Sequence, residues 1–299
     1  MVSNEAHQKA AQNISDSLER IKRSIPELTG VVDAFADLLI AKSTVKLQIA
    51  MPGFSNIEID PLRFSQGAPV LNDRRIEVEK ESVQKVAMSL MPAIKRGFPK
   101  MASGVESLVA SMNNDETVVD KLLLVLESGS SDSINDTALK LKISAEALKL
   151  VCSELAKPFA EKVAEIVGPM IQGLAWSKGY CPVCGSWPSV SVWKGDEGRR
   201  FLNCSVCGHE WNYIRSQCPF CENTDQNKME LIFSEDRKFE HAELCHVCKK
   251  YIVGIDARNL INPPHPSTAP ISLIYLDVLA QDRGFTPGAT FTMFSDLTL

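Results

Sequence analysis

Eight of the nine cysteines in this chain form four Cys-x-x-Cys pairs, and their spacing is that of metal ligands. The pairs are Cys181/Cys184, Cys204/Cys207, Cys218/Cys221 and Cys245/Cys248. Two thiolates on one tight turn supply half of a tetrahedral metal site, so four such turns supply two sites. The spacings Cys-x2-Cys-x19-Cys-x2-Cys and Cys-x2-Cys-x23-Cys-x2-Cys therefore predict two four-cysteine metal centres.

The way in which the four turns combine follows from loop length. Joining each turn to the next one along the chain closes the shorter loops, so consecutive pairing is favoured, while an interleaved arrangement stays open. Gly185 and Gly208 follow the second cysteine of their turns, where a glycine allows a positive φ without strain. Glu222 and Lys249 hold the same position in the other two turns, and we expect a less regular backbone there.

Other roles for the cysteines and for the histidines near them are less well supported by the sequence. A disulfide within a Cys-x-x-Cys turn closes only a tiny loop, and thiols in the cytoplasm are kept reduced. His209, His241 and His246 lie near the turns and are able to replace a cysteine as ligand, but eight cysteines already suffice for two sites. Cys152 lies on a helical apolar stripe and is expected to be a small buried hydrophobic residue.

Composition limits the class of protein. The 299 residues include 44% hydrophobic and 23% charged residues, which is typical of a soluble globular protein, and are enough for two domains. The net charge of -5 argues against a general affinity for nucleic acid. There is no apolar run long enough to span a membrane and no apolar signal segment at the N-terminus, so we expect a cytoplasmic protein.

Motifs of common catalytic sites are missing from the sequence. It has no glycine-rich phosphate loop, no nucleophile elbow and no His-Glu-x-x-His helix, so we expect a protein that is not an enzyme. Residues 138–150 have the apolar spacing of a helix-turn-helix. The second helix offers Glu146 and Lys149 where base reading favours Arg, Asn or Gln, so ordinary helix packing is the better interpretation.

The elements that position the cysteines differ between the two parts of the chain. Apolar residues at helical spacing predict helices over residues 6–25, 28–49, 76–94 and 117–127 and from 144 to about 167, with a loop over 51–74. From residue 178 onward, short alternating runs replace the helical stripes, and 188–193 and 229–233 read as strands. Trp187, Trp193, Trp211, Phe220 and Phe233 are the expected small core, and the linker 262–266 precedes a final helix over 271–281.

The resulting fold class is α+β. We expect an N-terminal all-α domain over residues 1–177, two small rubredoxin-like or zinc-ribbon-like modules over 178–215 and 216–261, and a linker with a C-terminal helix over 262–299. The metal would supply much of the folding free energy of modules as small as these.

The region from Gly179 to about Gly284 resembles the formate dehydrogenase accessory proteins, the FdhE family. The resemblance rests on four stretches, GYCPVCGSWPSVSVW, RRFLNCSVCGHEWNYIRSQCPFCEN, AELCHVCKKYI and LIYLDVLAQDRGF. It implies a cytoplasmic maturation factor that binds the catalytic subunit of a respiratory formate dehydrogenase before export through the twin-arginine pathway.

The resemblance also implies the cofactor and the site residues. By position, all eight paired cysteines become ligands of iron in two rubredoxin-type sites, with Zn as an alternative metal, and the protein is expected to self-associate, as a homodimer for example. Trp211, Arg215, Glu243 and Tyr251 match the family's pattern around the turns and become candidates for supporting or docking roles.

Two interpretations from other classes remain open at this point. A zinc-ribbon scaffold or nucleic-acid-associated protein would also use four Cys-x-x-Cys turns, and metal analysis separates it from an iron protein. A dithiol oxidoreductase would show a reactive thiolate and disulfide exchange in the metal-free protein.

Overall fold

The computed structural model describes residues 4–72, 74, 76–128, 130–233 and 236–289. Within these residues the chain forms two compact units. The first, helical unit lies within residues 4–55 and 74–163, and the second, cysteine-containing unit lies within 56–72 and 164–289. The mixed α+β class predicted from the sequence is confirmed.

Helices account for the regular structure up to residue 167. They are α1 (Asn4–Ser24), α2 (Thr29–Lys46), α3 (Pro61–Ser65), α4 (Lys80–Gly97), α5 (Ala102–Asn114), α6 (Thr117–Ser128), α7 (Ser131–Leu141) and α8 (Ala145–Val167). The five helices predicted from apolar spacing correspond to α1, α2, α4, α6 and α8. The short helix α3 interrupts the predicted loop over 51–74, where Asp60 caps it by accepting hydrogen bonds from the backbone N–H groups of Leu62 and Arg63.

Helix α8 is buried along much of its length. Residues 151–156 on it are all buried, and Cys152 among them is fully enclosed, as its place on the apolar stripe predicts. This burial raises the pKa of the Cys152 thiol. Glu154 is also buried, and its carboxylate accepts a hydrogen bond from Lys42 Nζ of α2 at 2.6 Å. A helix so enclosed packs within its unit, which supports helix packing over a base-reading role.

The cysteine-containing unit is built on one continuous sheet. Its strands are β1 (Pro188–Lys194), β2 (Arg199–Cys204), β3 (Glu210–Asn212), β4 (Met229–Phe233), β5 (Glu240–Cys245), β6 (Lys250–Asp256) and β7 (Thr286–Pro287). Their order is β3-β2-β1-β6-β5-β4, with β7 beside β6. Strands β1, β2 and β3 pair in antiparallel fashion, as do β4, β5 and β6, and a parallel β1–β6 pair joins the two sets.

The sheet contains the same supersecondary order twice. Each half begins with a Cys-x-x-Cys turn, continues with two strands, forms its second turn and ends in a third strand. The sequence predicts two successive modules, and in the structure these are the two halves of one sheet. The predicted strands over 188–193 and 229–233 correspond to β1 and β4.

One face of the sheet is covered by helices. These are α9 (Ala269–Ser272) and α10 (Ile274–Asp282), which together replace the single final helix expected over 271–281 and meet at Leu273. The apolar core between helices and sheet includes Val190, Ala242, Leu244, Leu273, Leu276 and Ala280. Burial of such side chains stabilises each by about 1.5–3 kcal/mol relative to exposure to water.

The opposite face of the sheet has a polar centre. Arg200 on β2, Glu243 and His241 on β5 and Ser191 on β1 are all buried there. Residues that follow β3 pack over them, since Arg200 donates hydrogen bonds to the carbonyl oxygens of Ile214 and Gln217. The prediction that Phe233 belongs to the core is wrong. This residue lies on the outer strand β4 and is 47% exposed.

None of the helices within the described ranges combines the length and the apolar character that crossing a bilayer requires.

Candidate metal centres

The eight paired cysteines come together as two separate clusters. Cys181, Cys184, Cys204 and Cys207 form the first cluster, and Cys218, Cys221, Cys245 and Cys248 form the second. Within each cluster all four Sγ atoms lie within 4.8 Å of one another. This is the consecutive grouping that the loop lengths favour, and the interleaved alternative does not occur.

Sulfur–sulfur distances match a tetrahedron around one ion. In the first cluster they include 3.6 Å between Cys181 and Cys207 and 3.4 Å between Cys184 and Cys204. In the second cluster Cys218 lies 3.8 Å from Cys248, and Cys221 lies 3.6 Å from Cys245. A regular tetrahedron with metal–sulfur bonds of about 2.3 Å has edges of about 3.8 Å. The four sulfurs of each cluster therefore fit a single metal ion bound by four thiolates.

Strand pairing positions the turns. Cys204 is the last residue of β2 and Cys245 is the last residue of β5, so the second turn of each half begins where the middle strand ends. The first turn of each half is held by its own backbone. The N–H of Cys181 donates to the carbonyl oxygen of Ser186, and the N–H of Cys218 donates to that of Asn223, both at 2.9 Å.

The backbone is equally regular in the turns that lack glycine. Gly185 and Gly208 have φ values of 80° and 65°, and Glu222 and Lys249 have 59° and 58°. The expectation of a less regular backbone at Glu222 and Lys249 is therefore wrong. Both residues adopt the left-handed conformation because their N–H groups close the turn, donating to the carbonyl oxygens of Cys218 and Cys245 at 3.0 and 2.8 Å. A side chain in this conformation costs roughly 1–2 kcal/mol, which the turn must offset.

Backbone N–H groups also point at the sulfurs. Val206 N–H donates to Cys204 Sγ at 3.5 Å. Burial acts to raise the pKa of Cys245, yet N–H donors from Cys248 and Val247 outweigh it and the pKa is lowered. Such donors spread thiolate charge, which is the state that a metal ligand requires.

Other thiols of the clusters hold their protons more firmly. Burial raises the pKa of Cys181 and of Cys207, and it raises the pKa of Cys248 to about 11. Binding of a metal ion to a cluster therefore displaces protons from these thiols.

The histidines near the turns are not among the four ligands of either cluster. His246 faces Glu230, with Nε2 at 2.9 Å from a carboxylate oxygen, and His209 is partly buried, which lowers its pKa. His241 is fully buried, and its ring stacks on Trp193 with centroids 4.0 Å apart. All three histidines lie near the clusters without completing them, as expected when eight cysteines already supply four sulfurs to each cluster.

The other residues singled out by the sequence lie around the sheet. Trp211 is buried, and its indole N–H donates to the carbonyl oxygen of Lys178 just before the first turn. The guanidinium of Arg215 lies 3.7 Å from the centre of the Trp193 ring. Tyr251 is buried and donates its hydroxyl proton to Asp277 of α10. These contacts connect the turns to the sheet and to its covering helix.

Glu243 has the most consequential contacts of this group. Its carboxylate lies 2.8 Å from the guanidinium of Arg200, which belongs to the other half of the sheet. Burial would raise the pKa of Glu243, but the attraction to Arg200 is stronger and lowers it to about 2. The two cysteine-containing halves are thus joined by a buried ion pair as well as by strand pairing. The sequence gives no sign of this pair, because its partners are 43 residues apart and neither lies in a motif with a known partner.

A segment distant in sequence lies over the first cluster. The N–H groups of Val70 and Leu71 donate to the carbonyl oxygens of Pro182 and Val183 inside the first turn, both at 2.9 Å. The hydroxyl of Tyr180 donates to the carbonyl oxygen of Gly67 at 2.7 Å. Sequence reasoning treated this segment as part of a loop, since its only signals were proline, glycine and asparagine.

Comparison with known proteins adds four findings. The family model described as FdhE, central domain, matches residues 180–215, which contain the first cluster. A protein from Aquifex aeolicus named Protein FdhE homolog is 28% identical over 286 residues, which cover 93% of each chain. One of the same name from Actinobacillus pleuropneumoniae is 33% identical over 143 residues, or 46% of this chain and 43% of the relative. The crystal structure of the FdhE protein from Pseudomonas aeruginosa has the same fold, with a TM-score of 0.58 at 15% identity over 96% of this chain and 95% of that one.

Proposed function

We propose that the chain, which is similar to an FdhE homologue over 93% of its length, is an FdhE-type formate dehydrogenase accessory protein and assists the maturation of a respiratory formate dehydrogenase. In this role it binds the catalytic subunit of that enzyme in the cytoplasm and performs no catalysis of its own. The observation that carries the proposal is the pair of four-sulfur clusters, the first of which lies within the region that the family model matches.

The eight cysteines of the two clusters are the proposed metal ligands, and iron is the proposed metal. Four thiolates accept either iron or zinc, so the donor set alone leaves the choice between them open. Iron is proposed from the resemblance to the FdhE proteins, and the N–H donors at Cys204 and Cys245 would raise the reduction potential of an iron centre there. When bound, iron would supply one-electron chemistry, and the chain's own residues hold the sulfurs in place.

The partner assignment rests on the family and is tested by binding. Purified chain immobilised under anaerobic conditions is expected to retain the catalytic subunit of the formate dehydrogenase. The matched control is a variant with all eight paired cysteines changed to serine. Loss of retention in that variant would place docking on the metal-bearing unit, and unchanged retention would place it on the helical unit. Failure of the unaltered chain to retain the catalytic subunit would overturn the proposed function.

Self-association belongs to the same proposal. Sedimentation of the metal-loaded chain is expected to give the mass of a homodimer, and a monomer at all accessible concentrations would contradict this part alone.

A further inference from the structure

The two cysteine clusters differ in how much of each is open to solvent. In the first cluster Cys181, Cys204 and Cys207 are buried and Cys184 is partly buried. In the second cluster Cys218 and Cys245 are buried, Cys248 is partly buried, and Cys221 is exposed. The residues of the second cluster therefore lie nearer to solvent than those of the first.

The residues between the cysteines show the same contrast. Val183 and Val247 each occupy the third position of a Cys-x-x-Cys turn. Val183 is completely buried in the first cluster, whereas Val247 is 56% exposed in the second. Glu222, His246 and Lys249 around the second cluster are exposed as well.

A segment over residues 67–71 contributes to the contrast by packing on the first turn of the first cluster. Val70 and Leu71 extend the hydrogen bonding of the first turn, and Pro69 lies against Gly185, where an added Cβ would meet its ring at 3.3 Å. The hydroxyl of Tyr180 holds the same segment by its hydrogen bond to the carbonyl oxygen of Gly67. Reaching the first cluster along this path requires these contacts to break together.

We propose that the two clusters have separate roles: the first is a permanent structural centre, and the second is the site at which the protein takes up and gives away its metal ion. The inference rests on the proposed function only in taking the eight cysteines as ligands. The acceptor is a molecule that offers thiolate or carboxylate donors.

The transfer is a ligand exchange and needs no oxidant or reductant. A donor atom of the acceptor forms a bond to the metal as the bond to Cys221 Sγ breaks, and the released thiolate takes a proton from water. The remaining sulfurs follow in turn, so that the ion leaves with its charge unchanged while the emptied cluster gains protons. Cys221 is the first sulfur to be released because it is the exposed one.

The test uses the full chain loaded with two Zn(II) ions per molecule, with a chromophoric chelator in excess as the acceptor. Release is expected in two phases of equal amplitude. Since loss of supporting contacts around a metal site changes affinity by about 10–100-fold, we expect the rates to differ by a factor in this range. One single phase for both ions would overturn the proposal, while the proposed function, which requires only that both sites bind, would stand. Absence of bound metal would overturn both.

Matched variants assign the phases. Cys221→Ser and Cys184→Ser each alter the second cysteine of the first turn in their half of the sheet. The fast phase is expected to be lost in Cys221→Ser and the slow phase in Cys184→Ser, and the reverse assignment would refute the proposal. Tyr180→Phe removes the bond to Gly67 and keeps all ligands, so it is expected to accelerate the slow phase alone.

A measurement on the unaltered chain covers the case in which a cysteine variant does not fold. The zinc-loaded protein is given a short pulse of N-ethylmaleimide, and the labelled peptides are identified by mass spectrometry. Labelling is expected first at Cys221 and Cys248. Equal labelling of both clusters, or earlier labelling of the first, would contradict separate roles.

Discussion

The buried ion pair between Arg200 and Glu243 is expected to hold the two halves of the sheet together, and the change Glu243→Gln tests this. The guanidinium is fully enclosed and lies 2.8 Å from the Glu243 carboxylate, while its other hydrogen bonds go to neutral groups. Glutamine keeps the size of the side chain but removes the only carboxylate recorded against this guanidinium among the described residues. Leaving one buried charge without its partner costs about 3–5 kcal/mol.

This magnitude is large compared with the whole stability of a domain, which is about 5–15 kcal/mol. Urea unfolding of the metal-loaded chain measures it. All four tryptophans lie between Trp176 and Trp211, so tryptophan fluorescence reports on the sheet, and the circular dichroism of the helices reports mainly on the helical unit. The fluorescence transition is expected to move to lower urea.

A control of the same chemical type lies on the sheet's surface. The Glu197 side chain is 84% exposed and 3.9 Å from Arg199, so Glu197→Gln is expected to change the free energy of unfolding by at most about 1 kcal/mol. The double variant Arg200→Met/Glu243→Gln removes both charges and is expected to recover part of the loss. Equal effects of Glu243→Gln and Glu197→Gln would refute the reasoning.

Three further substitutions test other parts of the fold. Glu154→Gln is expected to destabilise the helical unit by about 3–5 kcal/mol, measured by circular dichroism in urea. Because the buried Glu154 has its pKa lowered from 4.5 to about 2 by its lysine partners, its contribution is full above pH 4.5 and is lost as the pH falls toward 2, so the difference from the variant must shrink on acidification. Gly179→Ala would place a Cβ 1.9 Å from the carbonyl oxygen of Pro219, so it is expected to lower the free energy of unfolding by ~1–3 kcal/mol and to lower the metal content. Gly30→Ala serves as the control, because its Cβ would meet nothing within 4 Å. Glu222→Gly relieves the left-handed backbone at that position and is expected to raise the free energy of unfolding by roughly 0.5–1 kcal/mol, while an equal loss would show that its side chain matters more than its φ value.

The features that sequence reasoning found are those with local causes. Apolar spacing identified α8 because a stripe of the right period runs its whole length, and Cys152 lies on it. The turn spacing identified both clusters because loop length between turns decides which sulfurs meet. Helices α5 and α7 were not predicted, although each buries apolar residues, Leu108 on α5 and Ile134 on α7 among them.

The features that could not be predicted from the sequence depend on contacts between distant parts of the chain. The parallel pairing of β1 with β6 makes one sheet from two modules. Alternating apolar and polar residues show which face of a strand is buried, but they do not show which strand lies beside it. The cover formed by Val70 and Leu71 joins residues more than a hundred positions from the turn that they protect. Arg200 looks like any surface arginine until β5 places Glu243 beside it.

Each chain is proposed to bind two metal ions through its eight paired cysteines, and metal analysis with visible absorption of anaerobically purified protein tests this assignment. Two ions per chain are expected, with the charge-transfer bands of ferric thiolate after exposure to air if iron is bound and no colour if zinc has replaced it. Changing all eight cysteines to serine is expected to abolish binding. Metal-free protein from anaerobic purification, or metal retained by the eight-serine variant, would contradict the account.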